Sequence, residues 1–316
     1  MGGYICFDFL YVIGEEDYRR YLKKGIFKYC PDKIMKVFGS KIIMDIVDIK
    51  ENIIGKSFGI SPLMPKEKDK FIDEIIHSIN NIEERDFKNI VFDSSYIFDN
   101  EDILKIERET SFSVADGKMV MAEFLPHVLN EIFQEMKEDL RRKEILIIGE
   151  DDPSFYLLVE NLSKGIGFLT VTDEKRGYID ELTSNTLEKT GLSIFYSQNV
   201  DKILSNYSII INFKEKNIID PNKLRKKSVV FDLSRNKIFL TQIKEKTIVP
   251  IEDFLFSTKG KIKTNEYFAP EEKIFSNKYE LLEQHDYKDF LGILANGREY
   301  TIEEFVIIHR SNKIKL

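Results

Sequence analysis

A carboxylate-rich turn follows the clearest buried-strand pattern in the sequence. Residues 144–148 form a short apolar run that leads into Gly149 and then into the stretch Glu-Asp-Asp-Pro-Ser, which ends at Ser154. A glycine-rich turn between a buried strand and a helix binds phosphate, because its backbone N–H groups and the helix N-terminus favour an anion. Gly149 occupies the first glycine position of such a turn, whereas larger residues occupy the other two. The turn therefore has the position of a phosphate-binding site but an altered composition.

Two roles are open for the acids of this turn. Asp152 followed by Pro153 is a favourable helix start, because aspartate caps the first N–H groups and proline suits the first helical position. Alternatively, Glu150, Asp152 and Ser154 bind a ligand or cofactor beside Gly149. An anionic ligand is disfavoured there, because like charges 4 Å apart repel by about 4 kcal/mol in a medium of intermediate dielectric constant.

Asp173 is the other candidate cofactor-binding residue. It ends the apolar run 168–172, roughly 20 residues after Gly149, where an acid binds the ribose hydroxyls of NAD in dinucleotide-binding folds. Lys175 and Arg176 follow it and would instead suit a ribose phosphate. An aspartate at a strand end is also common in turns, so a purely structural role stays open.

A further strand of this region lacks a feature of cofactor-binding strands. The apolar run 207–211 continues into Asn212, Phe213 and Lys214. A small residue, glycine, serine or threonine, usually follows this strand near the nicotinamide-side ribose. Together with the altered turn after Gly149, this difference predicts that dinucleotide binding is lost or greatly changed.

The elements that position these residues alternate regularly. Short apolar runs predict strands at 144–148, 168–173, 193–196, 207–212 and 228–232, with helical patterns in several of the intervals between them. Strands that alternate with helices at this spacing form right-handed βαβ units in a parallel sheet. The predicted fold class is therefore α/β with two domains, the first a smaller α/β domain and the second a doubly wound parallel Rossmann-type sheet.

The predicted domain ranges follow from this pattern. We expect an N-terminal α/β domain over 1–115, a bridging helix over 116–142 that Pro126 kinks or splits, and a Rossmann-type domain over 143–240. A C-terminal helical segment, 241–316, is expected to pack back on the N-terminal domain.

Two regions carry more specific expectations about secondary structure. Residues 55–65 contain two glycines and two prolines, which predicts a loop or a short edge strand. In the C-terminal segment, apolar residues at helical spacing predict helices over 270–284, 287–294 and 301–308.

Composition excludes several function classes. The net charge of -7 argues against a nucleic-acid-binding protein, and no apolar run is long enough to span a membrane. Cys6 and Cys30 are the only cysteines, so a disulfide framework is excluded. The histidines are scattered without ligand spacing, so no metal site is expected. Without a signal-peptide pattern at its start, the chain is expected to be cytoplasmic.

The order of parts resembles the shikimate dehydrogenase-like group of two-domain Rossmann proteins, which includes related amino-acid dehydrogenases and acyl-carrier-protein reductases. The resemblance covers about residues 55–232 and is carried by Gly149, by the strand that ends at Asp173, and by the segments 188–192 and 206–211. It implies NAD or NADP as the cofactor.

The same resemblance implies a catalytic pair. In shikimate dehydrogenases a catalytic lysine follows a proline-containing motif, and a catalytic aspartate lies shortly before the Rossmann domain. Lys66, after Pro65, and Asp116, before Gly117, are the matching positions. Lys66 would act as the general base for a substrate hydroxyl during hydride transfer, and Asp116 would orient it.

Three functions stay open from the sequence. The first is a non-catalytic ligand-binding or regulatory module, related to NAD(P)-dependent dehydrogenases but with a degenerate phosphate turn, that forms a homodimer. The second is an active NAD(P)-dependent oxidoreductase for a small hydroxy or amino acid. The third is a protein that binds another small molecule, such as an amino acid or a cation, at the acidic turn.

Overall fold

The computed structural model describes residues 9–24, 39–61, 65, 67–83, 87–216, 218–243 and 248–311. The chain divides into two compact units. The first unit consists of Met1–Asp116 and Ser257–Gln284, and the second of Gly117–Phe256 and His285–Leu316. The predicted packing of residues 241–316 on the first domain stays a prediction.

The first unit is built on a five-stranded sheet. Its strand order is β2-β3-β1-β4-β5, and all neighbours are parallel except β2, which is antiparallel to β3. The central strand is buried along its whole length, and α2 covers the sheet with isoleucines at helical spacing. The strands are β1 (Phe9–Val12), β2 (Lys41–Val47), β3 (Ile53–Gly59), β4 (Asn89–Phe92) and β5 (Ser113–Val114), and the helices are α1 (Glu15–Leu22), α2 (Lys68–Asn80) and α3 (Asn100–Thr110).

The first half of the second unit carries four strands and three helices. Its first helix is one continuous element with Pro126 inside it, where the sequence predicted a kinked or split helix over 116–142. The elements are α4 (Lys118–Glu135), β6 (Glu144–Ile148), α5 (Pro153–Ser163), β7 (Phe168–Thr172), α6 (Gly177–Thr190), β8 (Ile194–Tyr196) and β9 (Ile209–Asn212).

The rest of the chain completes the second sheet, except for the segment Ser257–Gln284, which belongs to the first unit. That segment holds β12 and α8. The elements are β10 (Val229–Asp232), α7 (Ile238–Gln242), β11 (Pro250–Ser257), β12 (Lys273–Phe275), α8 (Ser276–Tyr279), β13 (Phe290–Ala295), β14 (Arg298–Tyr300) and α9 (Ile302–Ser311).

The larger sheet has the strand order of a Rossmann fold. From one edge it runs β8-β7-β6-β9-β10-β11-β13-β14. The first six strands are parallel to one another, whereas β13 is antiparallel to β11 and β14 is antiparallel to β13. If the parallel strands are numbered in chain order from β6, their order in the sheet is 3-2-1-4-5-6. The three central strands β6, β9 and β10 have almost no exposed residue, as expected of a parallel sheet covered on both faces. The predicted α/β class with two domains is confirmed.

The first part of one predicted loop, residues 55–59, belongs to a buried strand. The glycines and prolines of residues 55–65 predicted a loop or an edge strand. The structure instead places residues 55–59 in β3, which lies inside its sheet between β2 and β1. A Cβ atom on Gly55 would lie 2.6 Å from the ring of Phe9, and one on Gly59 would lie 2.1 Å from the ring of Tyr18. The two glycines therefore make room for neighbouring aromatic rings, a tertiary requirement that resembles a loop signal in the sequence.

The C-terminal third contains more strand than the sequence predicted. The helix predicted over 287–294 is wrong, because β13 occupies most of that range, and the range 270–284 holds β12 and the short α8 instead of one helix. A Cβ atom on Gly292 would lie 2.3 Å from the carbonyl oxygen of Tyr300, so the glycine permits close approach between β13 and β14. The helix predicted over 301–308 is confirmed by α9.

Candidate functional site

The candidate site lies at the carboxyl ends of β6, β7 and β9 in the second unit. The chain leaves β6 toward β7 on one side, and β9 lies on the other side of β6, so the strand order reverses at this point. In open α/β sheets such a switch point leaves a crevice where ligands bind. The residues that follow these strands are Gly149 and Glu150, Asp173, and Phe213 to Glu215.

The acidic turn after β6 caps the helix that follows it. Asp152 Oδ1 accepts a hydrogen bond from the backbone N–H of Ser154 at 2.8 Å, and the Ser154 hydroxyl donates to the same oxygen. Pro153 occupies the first turn of α5. Asp151 accepts a hydrogen bond from the Tyr156 hydroxyl at 2.6 Å. Two of the three acids therefore have structural roles, and the predicted ligand role of Asp152 and Ser154 stays a prediction.

Aromatic rings cover the backbone at Gly149. A Cβ atom there would lie 3.0 Å from Phe155 Cε2 and 3.1 Å from the Tyr178 hydroxyl. Phe155 is fully buried and packs edge-to-face against Phe213 and Tyr178, with ring centroids 5.8 and 5.9 Å apart. The missing side chain of Gly149 thus accommodates a ring of the protein itself, at the place where a dinucleotide fold brings phosphate close to the backbone.

The carboxylate of Asp173 is fully engaged within the chain. The residue is 1% exposed, and Lys214 Nζ lies 2.7 Å from its Oδ1. The backbone N–H of Glu174 donates to the same oxygen at 2.6 Å, and the hydroxyl of Tyr178 donates to Oδ2. Burial and this hydrogen bond raise the pKa of Tyr178, so its hydroxyl keeps the proton it donates. Internal donors therefore occupy both oxygens that would bind ribose hydroxyls.

A second lysine lies buried at the start of α4. Lys118 is 4% exposed, and its Nζ lies 3.7 Å from Glu150 Oε2 and 3.7 Å from Glu215 Oε1. Glu215 also accepts the backbone N–H groups of Arg235 at 2.7 Å and Asn236 at 3.1 Å. The ammonium group therefore bridges two carboxylates that belong to the ends of β6 and β9.

These side chains form two charged groups that meet at the consecutive residues Lys214 and Glu215, and together we call them the switch-point network. A free carboxylate in this low-dielectric place would be costly, and each acid of the network faces an ammonium group. One group connects α4 to the segments after β6 and β9, and the other connects the segment after β7 to the segment after β9. The members of the network are Lys118, Glu150, Asp173, Tyr178, Lys214 and Glu215.

The surroundings of Glu150 shift the pKa of its carboxyl group. Burial raises its pKa above the ordinary value of 4.5, and the charges of Lys118 and Lys214 offset this effect only in part. A carboxyl group with a raised pKa binds its proton more tightly in the folded than in the unfolded state. The free energy of unfolding therefore falls as the pH rises from 4.5 through the raised pKa.

We expect Glu150→Gln to relieve this pH-dependent loss. The amide keeps the shape of the side chain without its charge, and Lys118 retains Glu215 as its partner. The change in the free energy of unfolding that the substitution causes should therefore be more favourable at pH 7 than at pH 5. Urea denaturation at both pH values measures this, and a variant that is equally destabilised at both would contradict it.

The predicted catalytic pair is only partly described. Lys66 lies outside the described residues, so its position relative to Asp116 is open. Asp116 is partly exposed and follows β5, immediately before Gly117, which adopts a left-handed conformation (φ 82°) at the start of α4. The general-base role of Lys66 and the orienting role of Asp116 stay predictions.

The sequence did not predict four residues of this site, which are Lys118, Tyr178, Lys214 and Glu215. Lys118 is the most deeply placed of the charged residues among them. It stands two positions after Asp116, in a first helical turn that otherwise leads into apolar residues such as Val120 and Met121. A lysine at such a position is usually exposed, because its long side chain reaches water easily. The only available signal was one cation at the start of an otherwise apolar helix.

Two further properties of the described residues bear on function. No cluster of three or more histidine, cysteine, aspartate or glutamate side chains in the described part of the chain could hold a metal ion. Among the same residues, no helix combines the length and the apolar character needed to cross a membrane.

Comparisons with known proteins give a distant likeness in fold. No protein family and no curated protein matches the sequence. L-tryptophan dehydrogenase from Nostoc punctiforme is 11% identical over 77% of this chain and 68% of its own, with a TM-score of 0.32. The apo form of D-mandelate dehydrogenase from Rhodotorula graminis is 9% identical over 72% and 74%, with a TM-score of 0.35.

A third solved structure matches over a shorter part. The probable ornithine cyclodeaminase from Bordetella pertussis is 12% identical, with a TM-score of 0.27, and the match covers 35% of this chain and 35% of that protein. The chain thus spans about a third of the length of that relative. At these values the three likenesses carry no conclusion about activity or ligand.

Proposed function

We propose that this protein is a Rossmann-type module that does not bind NAD(P) at its switch point and acts as a non-catalytic binding or regulatory protein. Its own side chains occupy the groups that a dinucleotide would need. The sheet then serves as a rigid scaffold, and recognition takes place on other surfaces.

The main support for the proposal is that the carboxylate of Asp173 is buried and already bound by other side chains. An acid at this position binds the ribose hydroxyls by accepting their hydrogen bonds. Here Lys214 and Tyr178 already supply the donors, and the carboxylate is buried. A ribose could reach Asp173 only after a buried ion pair had been broken, and separating such a pair costs about 3–5 kcal/mol.

The phosphate turn supports the same proposal. A pyrophosphate needs close approach to backbone N–H groups, but Phe155 and Tyr178 cover the backbone of Gly149. The acids of the turn would also repel the phosphate charges. Binding of a dinucleotide is therefore disfavoured both at its adenosine ribose and at its pyrophosphate.

The alternative is an active NAD(P)-dependent oxidoreductase with an unusual cofactor turn. Its support is that Gly149 and Asp173 stand at the expected places after β6 and β7. For this activity Lys214 would have to leave Asp173 when the cofactor binds, and the aromatic rings over Gly149 would have to move.

Thermal denaturation with cofactor distinguishes the two functions. We expect no change in the midpoint temperature with NAD⁺, NADH, NADP⁺ or NADPH at millimolar concentration. A cofactor present at a hundred times its dissociation constant would stabilise the protein by about 2.7 kcal/mol. A clear shift that Asp173→Asn abolishes would overturn the proposal. Lys175→Met, next to the site but outside the network, is the matched control.

A further inference from the structure

The strand β8 forms an open edge of the larger sheet. Within the part of the chain that the structure describes, β8 pairs with β7 on one side and with no strand on the other. The segment from Thr190 to Val200 contains no charged residue and no proline. Natural edge strands usually carry lysine, proline or a bulge that prevents pairing with another chain. This edge has none of the side-chain barriers to pairing.

The backbone groups on the outer edge of β8 are suitably placed for pairing. The N–H of Ser197 donates to the carbonyl oxygen of Val171 on β7. Because N–H groups alternate in direction along a strand, those of Ile194 and Tyr196 point away from β7. A strand that adds to this edge therefore meets two N–H and two C=O groups.

The face beside this edge is apolar and exposed. Phe195 is 59% exposed and Phe168 is 60% exposed. Phe195 is the register partner of Thr170, which lies two residues from Phe168, so both rings project from one face of the sheet. A cavity of about 530 Å³ lies beside them. Its lining includes one acid, Glu144, and one base, Arg225, so the surface has no net charge.

We propose that a second copy of this chain binds here, with the two β8 strands antiparallel and a two-fold axis through Phe195. In this register Ile194 of one copy faces Tyr196 of the other, and the two pairs exchange four backbone hydrogen bonds. Phe195 then faces its own copy at the position where cross-strand side chains lie nearest, and aromatic pairs there stabilise a sheet. One residue sequence supplies both halves of the interface, as two-fold symmetry requires.

The charge distribution permits an identical copy to bind at this edge. The chain carries a net charge of -7, so two copies repel each other over most of their surfaces. The uncharged segment 190–200 and the balanced cavity form a place where two copies approach without this penalty. A strand of three residues gives a small interface, so the association should depend strongly on concentration.

Sedimentation velocity over a range of protein concentrations tests the dimer. We expect the average mass of the parent chain to rise above the 37.1 kDa of one copy as the concentration increases. Phe195→Lys should keep the chain monomeric, because two ammonium groups would face each other across the axis. Ile97→Lys, a change at another exposed apolar residue, should dimerise like the parent. A parent chain that stays monomeric at every concentration would overturn the proposal, and so would a dimer that persists in Phe195→Lys.

A crosslink tests the position of the axis. In a chain with Cys6→Ser and Cys30→Ser, we expect Phe195→Cys to form an intermolecular disulfide under mild oxidation, because facing Cα atoms lie within disulfide range. Ile97→Cys in the same background is the control and should stay uncrosslinked. Equal crosslinking of the two variants, or none in Phe195→Cys, would contradict the proposed register.

Discussion

Replacing Lys118 with methionine should lower the free energy of unfolding by about 3–5 kcal/mol. The ammonium group of Lys118 lies between Glu150 and Glu215, and all three side chains are largely buried. Methionine fills a similar volume but removes the cation that lies between the carboxylates of Glu150 and Glu215. Removing one member of a buried charged group costs far more than removing an exposed pair, because the remaining charges stay desolvated.

Urea denaturation followed by far-ultraviolet circular dichroism measures this effect, since the chain contains no tryptophan for fluorescence. Lys164→Met is the matched control. Lys164 directly follows α5, and its exposed ammonium group lies 3.8 Å from Glu160 of that helix, so its loss should cost less than about 1 kcal/mol. Equal destabilisation by the two changes would show that Lys118 does not hold the network together. Adding Glu150→Gln to Lys118→Met should restore part of the loss.

Phe155→Ala should cost a similar amount, about 3–5 kcal/mol, for a different reason. The ring is fully buried and contacts the rings of Tyr156, Tyr178 and Phe213. Truncation leaves a cavity in the middle of this aromatic cluster, and the surrounding elements α5, α6 and the end of β9 cannot all move inward. Thermal or urea unfolding of the variant measures the loss.

Phe168→Ala is the control for this change, because Phe168 is the same residue type but mostly exposed. It should change the stability of the monomer by well under 1 kcal/mol. Gly149→Ala adds a more specific test. In the parent chain the new methyl group meets the Phe155 ring, whereas in Phe155→Ala it enters the cavity. The cost of Gly149→Ala should therefore be smaller in the Phe155→Ala background. Additive effects would contradict the packing described for Gly149.

The sequence allowed the second sheet to be predicted well, because its elements are locally encoded. Residues 144–148 are a continuous apolar run that ends at Gly149, and Asp152 with Pro153 is a helix start that needs no tertiary information. Asp173 was likewise found from its place after an apolar strand. Each of these signals lies within a few residues of the feature it predicts.

The switch-point network could not be predicted in the same way. Lys118, Asp173 and Lys214 are far apart in the sequence, and each has an ordinary exposed alternative in isolation. Lys118 pairs with Glu150 after β6 and with Glu215 after β9, and Lys214 pairs with Asp173 after β7, so these contacts exist only in the folded sheet. The wrong prediction for β3 has a related cause. Gly55 and Gly59 leave space for the rings of Phe9 in β1 and Tyr18 in α1, which are distant in the sequence.

On the function proposed above, the ion pair between Lys214 and Asp173 also determines whether a nucleotide contributes to the stability of the fold. A Rossmann protein that binds a nucleotide gains part of its folded stability from that ligand, so its abundance varies with the nucleotide pool. Here Lys214 and Tyr178 supply the hydrogen-bond donors that a ribose would otherwise supply to Asp173. Because both residues belong to the same chain, these donors do not depend on the concentration of any ligand. On the function proposed above, the folded population of this protein would therefore not depend on the nucleotide concentration.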